Sequence, residues 1–138
     1  AASTVSVPSP RVFPFSGAGP YPEAMSDCLF CRIVRGEIPS NKVAETDDLF
    51  AFRDIAPQAP THILIIPKSH TAASAAELTP ENASLLGEVF PLAARIAREQ
   101  GLASGWRLVT NVGADAGQTV FHLHFHLLGG APLGRFGA

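Results

Sequence analysis

Cysteine and methionine are almost missing: the 138 residues include two Cys and one Met. Two thiols are far too few for a secreted scaffold held by disulfides. Positive charge is in no surplus either. Eight Arg and two Lys stand against twelve acidic residues, for a net charge of −2. That balance disfavours nucleic-acid binding through the phosphate field, while a small nucleotide needs only a pocket. No apolar run approaches the roughly 18 residues of a membrane span, and the run from Ile63 to Ile66 stops at Pro67. What remains, 46% hydrophobic and 16% charged, is the composition of one soluble globular domain, with neither nucleic acid nor membrane as a partner.

Residues 1–24 carry five of the twelve prolines and only two charges, Arg11 and Glu23. They have no helical or strand period and read as an extended leader, with the functional domain over residues 25–138. The leader is poor in acid but not rich in Arg, which makes a transit peptide a weak reading. Cys28 and Cys31 are two residues apart. Nothing upstream reads as the strand that a thioredoxin-like redox motif requires, so the spacing favours half of a metal site.

Downstream, short strands are predicted at Lys42 to Glu45, Leu49 to Asp54 and His62 to Pro67, the last a β-branched apolar run that must be buried. Pro57 and Pro60 stiffen the intervening loop. Thr79-Pro80 supplies a helix start. Leu85/Leu86, Val89/Phe90, Ala93 and Ile96/Ala97 then recur at helical spacing until Gly101, with a bend predicted at Pro91. Trp106 to Val112 and Val120 to Leu128 read as strands joined by a Gly-rich connection. The expected architecture is α+β: a mainly antiparallel five-stranded sheet with one long and one short helix.

The segment His122-Leu123-His124-Phe125-His126 holds three of the five histidines. On a strand all three share one face, and Phe121, Leu123, Phe125 and Leu127 share the other, packed on the helix. A solvent-facing polar stripe would be served by Thr, Lys or Glu. A His-X-His metal site is a second reading. A third is phosphoryl chemistry, because Asn111, Gly113, Gly117, Gln118 and Thr119 lie just upstream, and glycine amides with Asn and Thr side chains suit phosphate oxygens.

Cys28-Leu29-Phe30-Cys31, Arg53 to His62, Pro67-Lys68-Ser69-His70, Asn111, Gly117-Gln118-Thr119 and His122 to Gly130 together resemble the histidine triad superfamily, specifically its nucleotide-binding branch. The resemblance implies a hydrolase of purine nucleoside 5'-phosphoramidates acting through a nucleotidyl-histidine intermediate. On that basis His124 is the nucleophile, His126 binds the phosphate and helps protonate the leaving amine, and His62 is a further proton handler. The nucleoside would lie against Phe30, Ile33, Phe52 and Ile55, for which ordinary core is the alternative. Asp54 would accept the ribose hydroxyls, with a turn cap as its alternative; Asn111, Thr119 and the amides of the Gly117 loop would meet the phosphate, and Val120 is a further nucleotide-binding residue.

The resemblance also implies a structural zinc held by Cys28, Cys31, His70 and His122, with no metal needed in the chemical step. It implies a homodimer whose sheets join into one; the expected location is cytoplasmic, with organellar targeting by residues 1–24 as the alternative. The main helix is apolar on more than one flank, at Leu85 and Leu86, Val89 and Phe90, and Leu92, and Trp106 to Val112 could pair at a sheet edge. A dinucleoside polyphosphate hydrolase and a nucleotide-binding scaffold are the competing readings. His126 argues against a uridylyltransferase, which would carry Gln there. Two departures from the branch stand out: Thr119 where Ser is common, and an Arg135-Phe136 tail in place of Trp-Pro-Pro-Gly, near the partner's leaving-group pocket.

Overall fold

A computed structural model of the protein describes residues 28–136; the leader at residues 1–24 and the proposed domain start at residue 25 lie outside the described residues. The first element, α1 (Leu29–Val34), is capped by Cys28, whose Sγ accepts the Cys31 N–H at 3.4 Å. It stops where Gly36, at φ 79°, takes a left-handed turn that a side chain would resist. Five strands follow: β1 (Lys42–Glu45), β2 (Leu49–Arg53), β3 (Thr61–Pro67), β4 (Trp106–Val109) and β5 (Phe125–Gly129). They form one antiparallel sheet in the order β1-β2-β3-β5-β4. The long helix α2 (Leu86–Glu99) precedes β4.

Period-two alternation divides β2 and β3 between two cores. Leu49, Ala51, Ile63 and Ile65 pack with Val89, Leu92, Ala93 and Ile96 of α2. Phe50, Phe52, Leu64 and Ile66 pack with Phe30, Cys31 and Ile33 of α1. Both faces of the central strands are thus covered, which explains why β3 reads as an unbroken apolar run. Among the described residues no helix is long and apolar enough to cross a membrane.

Three elements differ from the expectation. The long helix begins at Leu86 rather than at Thr79-Pro80, after a 3-10 turn over Ala83–Leu85. Asn82 causes the delay: its Oδ1 accepts the Thr79 N–H at 2.7 Å and its Nδ2 donates to the Glu77 carbonyl, closing a turn that competes with the helical ladder. The strand at Trp106 ends at Val109 instead of Val112. The last strand begins at Phe125, not Val120, because the backbone just before it bonds elsewhere. The Leu123 N–H donates to the Ala72 carbonyl, and the His124 carbonyl accepts the Thr110 hydroxyl at 2.7 Å.

The alternation nevertheless persists through this irregular stretch. Leu123, Phe125 and Leu127 all enter the α2 core. Phe121 is the exception: it is 57% exposed and does not pack on the helix.

Candidate functional site

The three histidines point away from α2 into the layer beside α1, and they end in two different environments. At one end, His122 is fully buried with Cys28, Cys31 and His70. Its Nδ1 lies 3.3 Å from Cys28 Sγ and 3.5 Å from Cys31 Sγ, and His70 Nδ1 is 3.5 Å from Cys31 Sγ. The four donor atoms lie within 4.8 Å of one another. The Nε2 of His122 is 2.9 Å from the Pro67 carbonyl. A carbonyl only accepts, so Nε2 carries the proton and Nδ1 offers its lone pair to the sulfurs. The Cys28 thiol is driven far below its ordinary range, first by a hydrogen bond from Cys31, while the Cys28 sulfur and burial push Cys31 up. Two sulfurs and two imidazole nitrogens, one of them held in the ligating tautomer, fit a closed tetrahedral metal site.

His124 occupies the centre. Its Nδ1–H donates to the His122 carbonyl at 2.8 Å, which leaves an unprotonated Nε2. Phe30 packs edge-on against the ring at 5.0 Å between centroids. Burial lowers the pKa, against which the bond to His122 works, so the ring stays neutral at physiological pH.

His126, on β5, forms the other end. It lies opposite Leu64 of β3, which makes His62 its diagonal neighbour on the same face. His62 Nε2 is 2.8 Å from His126 Nδ1 and 3.5 Å from Asp54 Oδ2. These three residues also form a compact group of ligand atoms, but their hydrogen bonding opposes a metal. The Gln58 backbone N–H donates to His62 Nδ1 at 3.0 Å, so the neutral ring carries its proton on Nε2, the atom a metal would need. That proton goes to His126 Nδ1, and His126 in turn carries its own on Nε2. Burial, then the nearby His124 and His62, push His126 down to about 4. Burial also lowers His62, with Asp54 opposing.

Asp54 follows β2, and its Oδ1 accepts the Ala56 N–H at 2.8 Å, which is the turn-capping geometry, while Oδ2 faces His62. Phe30, Ile33 and Phe52 are buried members of the α1 core. Ile55, in contrast, is 99% exposed, which removes the core alternative at that position.

The Gly-rich connection differs most from expectation. The Gly113 N–H is held by Gln118 Oε1 at 2.9 Å, the Gly117 N–H by the Ala114 carbonyl, and the Gln118 N–H by the Gly113 carbonyl. Gln118 is buried, and its Nε2 donates to the Ala73 and Val120 carbonyls. These groups therefore brace the loop. Gly113 and Gly117 sit at φ 79° and 86°, where glycine is required by the turn. From the same connection Thr119 is exposed, Asn111 is half-buried, and Val120 packs on the α1 cluster.

Three contributors escaped the sequence reading: the Pro67 carbonyl, the Gln58 N–H and the Thr110 hydroxyl. Two of these are backbone atoms, which leave no residue-type signal.

Known proteins resemble this chain over most of its length. Residues 35–133 match the HIT domain. Purine nucleoside phosphoramidase of Escherichia coli strain K12 is 47% identical over 109 residues, covering 78% of this chain and 91% of that protein. A HIT-like protein of Synechococcus elongatus is 50% identical over 107 residues, 78% of this chain and 93% of its own length. A solved HIT family hydrolase from Clostridium thermocellum superposes with a TM-score of 0.77 at 45% identity, covering 81% of this chain and 97% of that one. With its alternating histidines, its antiparallel sheet and this extent of similarity, the chain belongs to the HIT domain family.

Proposed function

We propose that this protein hydrolyses purine nucleoside 5'-phosphoramidates through a nucleotidyl-histidine intermediate on His124. The observation that carries the reading is the fixed tautomer of His124, with Nδ1–H tied to the His122 carbonyl and Nε2 unprotonated, in a chain 47% identical to a purine nucleoside phosphoramidase. A neutral, oriented imidazole is a competent nucleophile.

In the first step Nε2 of His124 bonds to the α-phosphorus as the P–N bond breaks, and the electron pair of that bond stays on the leaving nitrogen. That nitrogen needs a proton. The substrate phosphate, by its negative charge, draws one onto the His62–His126 pair, since a nearby anion favours the imidazolium form. His126 passes it to the leaving nitrogen and returns to neutral. In the second step water attacks phosphorus, the phosphorus–His124 bond breaks with its electron pair returning to Nε2, and His126 takes the water's proton. The product is a nucleoside monophosphate.

In this reading Asp54 receives the ribose hydroxyls, and Phe30, Ile33, Phe52 and Ile55 border the base. Asn111, Thr119 and Val120 line the phosphate. Gly117 shapes the turn that presents them, since its own N–H is engaged. Zinc is the metal we assign to Cys28, Cys31, His70 and His122, where it would cross-link α1 to the two segments flanking the sheet and contribute stability rather than chemistry. The catalytic unit is residues 25–138. It is proposed to pair as a homodimer through the β4 edge and the α2 flank, where Trp106 and Phe90 are exposed. Light scattering at micromolar concentration checks the pairing, and a one-chain mass removes it.

The deciding experiment is turnover of adenosine 5'-phosphoramidate beside a diadenosine polyphosphate, with acid-stabilised trapping of the adduct for mass spectrometry. Faster phosphoramidate cleavage with an adenylyl group on His124 supports the reading. Preference for the dinucleotide transfers the chain to the polyphosphate-hydrolase reading, and binding without turnover leaves a nucleotide-binding scaffold.

A further inference from the structure

The His62–His126 pair has four ring nitrogens and, when neutral, two protons. One is shared between His62 Nε2 and His126 Nδ1, which are 2.8 Å apart. The position of the other is decided outside the rings. The Gln58 N–H points at His62 Nδ1 from 3.0 Å and can only donate, so Nδ1 is the acceptor and the second proton sits on His126 Nε2. A third proton, the one that charges the pair, has a single place left to go, His62 Nδ1. There it would put two N–H groups face to face and cost the Gln58 hydrogen bond.

We propose that the backbone N–H of Gln58 is a positioning group that holds the His62–His126 pair uncharged, with Nε2–H on His126, until an anion enters the site. Gln58 itself is exposed, so its side chain is incidental. Its place is set by the loop between Pro57 and Pro60, where fixed φ angles limit the conformations available. The other groups facing the pair act in opposite directions. The Asp54 carboxylate, 3.5 Å from His62 Nε2, favours charging. The His124 ring, 5.0 Å from His126, disfavours it when protonated. Burial lowers the pKa of both rings of the pair, in the same sense as the Gln58 contact.

The consequence rests on the hydrolase reading: protonation of the pair becomes coupled to arrival of the substrate phosphate, and a free enzyme does not hold the acid form in advance. The wrong tautomer would direct a lone pair of His126, not an N–H, at the phosphoryl group, a defect known to be severe in catalytic histidines.

The test begins with the unmodified protein labelled with 15N in histidine. Long-range 1H–15N spectra at neutral pH are expected to show His62 protonated at Nε2 and bare at Nδ1, and His126 protonated at Nε2. A proton on His62 Nδ1 overturns the proposal, whatever the activity. Gln58→Ala keeps the N–H and is expected to leave the tautomer spectra unchanged. Gln58→Pro removes it and is expected to mix the tautomers and to raise the pH at which the pair titrates by about one unit, the equivalent of one hydrogen bond. The acid limb of kcat/KM for adenosine 5'-phosphoramidate would move by the same amount. An unmoved titration in folded Gln58→Pro overturns the proposal. Correct tautomers in a protein that turns over no phosphoramidate would leave the proposal standing and defeat the hydrolase reading instead.

Discussion

The two ends of the triad use the same residue type for opposite purposes. His122 and His126 are four residues apart on one alternating segment, and each makes a close contact on either side of His124. His122 donates Nε2–H to the Pro67 carbonyl and turns a bare Nδ1 to two sulfurs. His126 accepts at Nδ1 from a histidine whose own tautomer is set by a backbone N–H. One end therefore turns a bare nitrogen toward two sulfurs, and the other carries a chain of N–H donors. The difference lies in whether a carbonyl or an amide meets the outer nitrogen, and residue type alone does not encode it.

That contrast is broken most severely at its centre. His124→Ala removes the bare Nε2 while leaving both ends intact. Turnover of adenosine phosphoramidate is expected to fall by about a thousandfold or more, with nucleotide affinity within about tenfold. Single-turnover kinetics and calorimetry read the two quantities separately, and retention of more than a few per cent of kcat removes His124 as nucleophile.

At the metal end, Cys28→Ser is expected to take the metal content from about one equivalent per chain to none and to lower stability by on the order of 3 kcal/mol. Elemental analysis and denaturant unfolding measure this. The same substitution should leave the tautomers of His62 and His126 untouched, which separates the two ends.

The proton end has a pH signature instead. His62, His124 and His126 all titrate below their ordinary value in the fold, His126 at about 4. The unfolded chain therefore binds protons first. Stability is full above about pH 6.5 and declines as pH falls toward about 4. Thermal midpoints across that range should fall for the parent protein and fall less for His126→Asn. Equal slopes would show that the buried pair does not govern acid unfolding.

The smallest effect is expected far from both ends. Arg107 on β4 donates to the Gly134 carbonyl at 2.7 Å and lies over the Phe136 ring at 5.3 Å, fastening the tail to the sheet edge. Arg107→Ala should cost about 1 kcal/mol locally. Faster hydrogen exchange over residues 130–136 with an unchanged global melting temperature would report it.

Much of this arrangement was legible beforehand where a repeating pattern carried it. The apolar period of α2, the unbroken run of β3 and the His-X-His-X-His alternation each give a side chain its face through simple backbone geometry. The start of α2 is not legible in the sequence, because Asn82 turns a plausible Thr79-Pro80 cap into a separate turn. The Gly-rich connection suits a phosphate by composition, and in the fold the buried Gln118 amide accepts the Gly113 N–H and donates to two carbonyls. Composition favours glycine equally for an anion cradle and for a braced turn, so the distinction needed the partners.

By itself the sequence determined which residues share a face and that the chain resembles the histidine triad family, a resemblance that implies Cys28, Cys31, His70 and His122 as a ligand set. Only the tertiary structure decided which nitrogen of His62, His122, His124 and His126 carries a proton. That choice depends on backbone groups, the Pro67 carbonyl from a distant segment for His122 and the N–H of Gln58 in the adjoining loop for His62, and a carbonyl or an amide N–H is present at every such position whatever the side chain. Periodicity constrains directions along one element, whereas a tautomer is set by the particular backbone group that the folded chain brings to a ring nitrogen, from a neighbouring residue or from a distant strand.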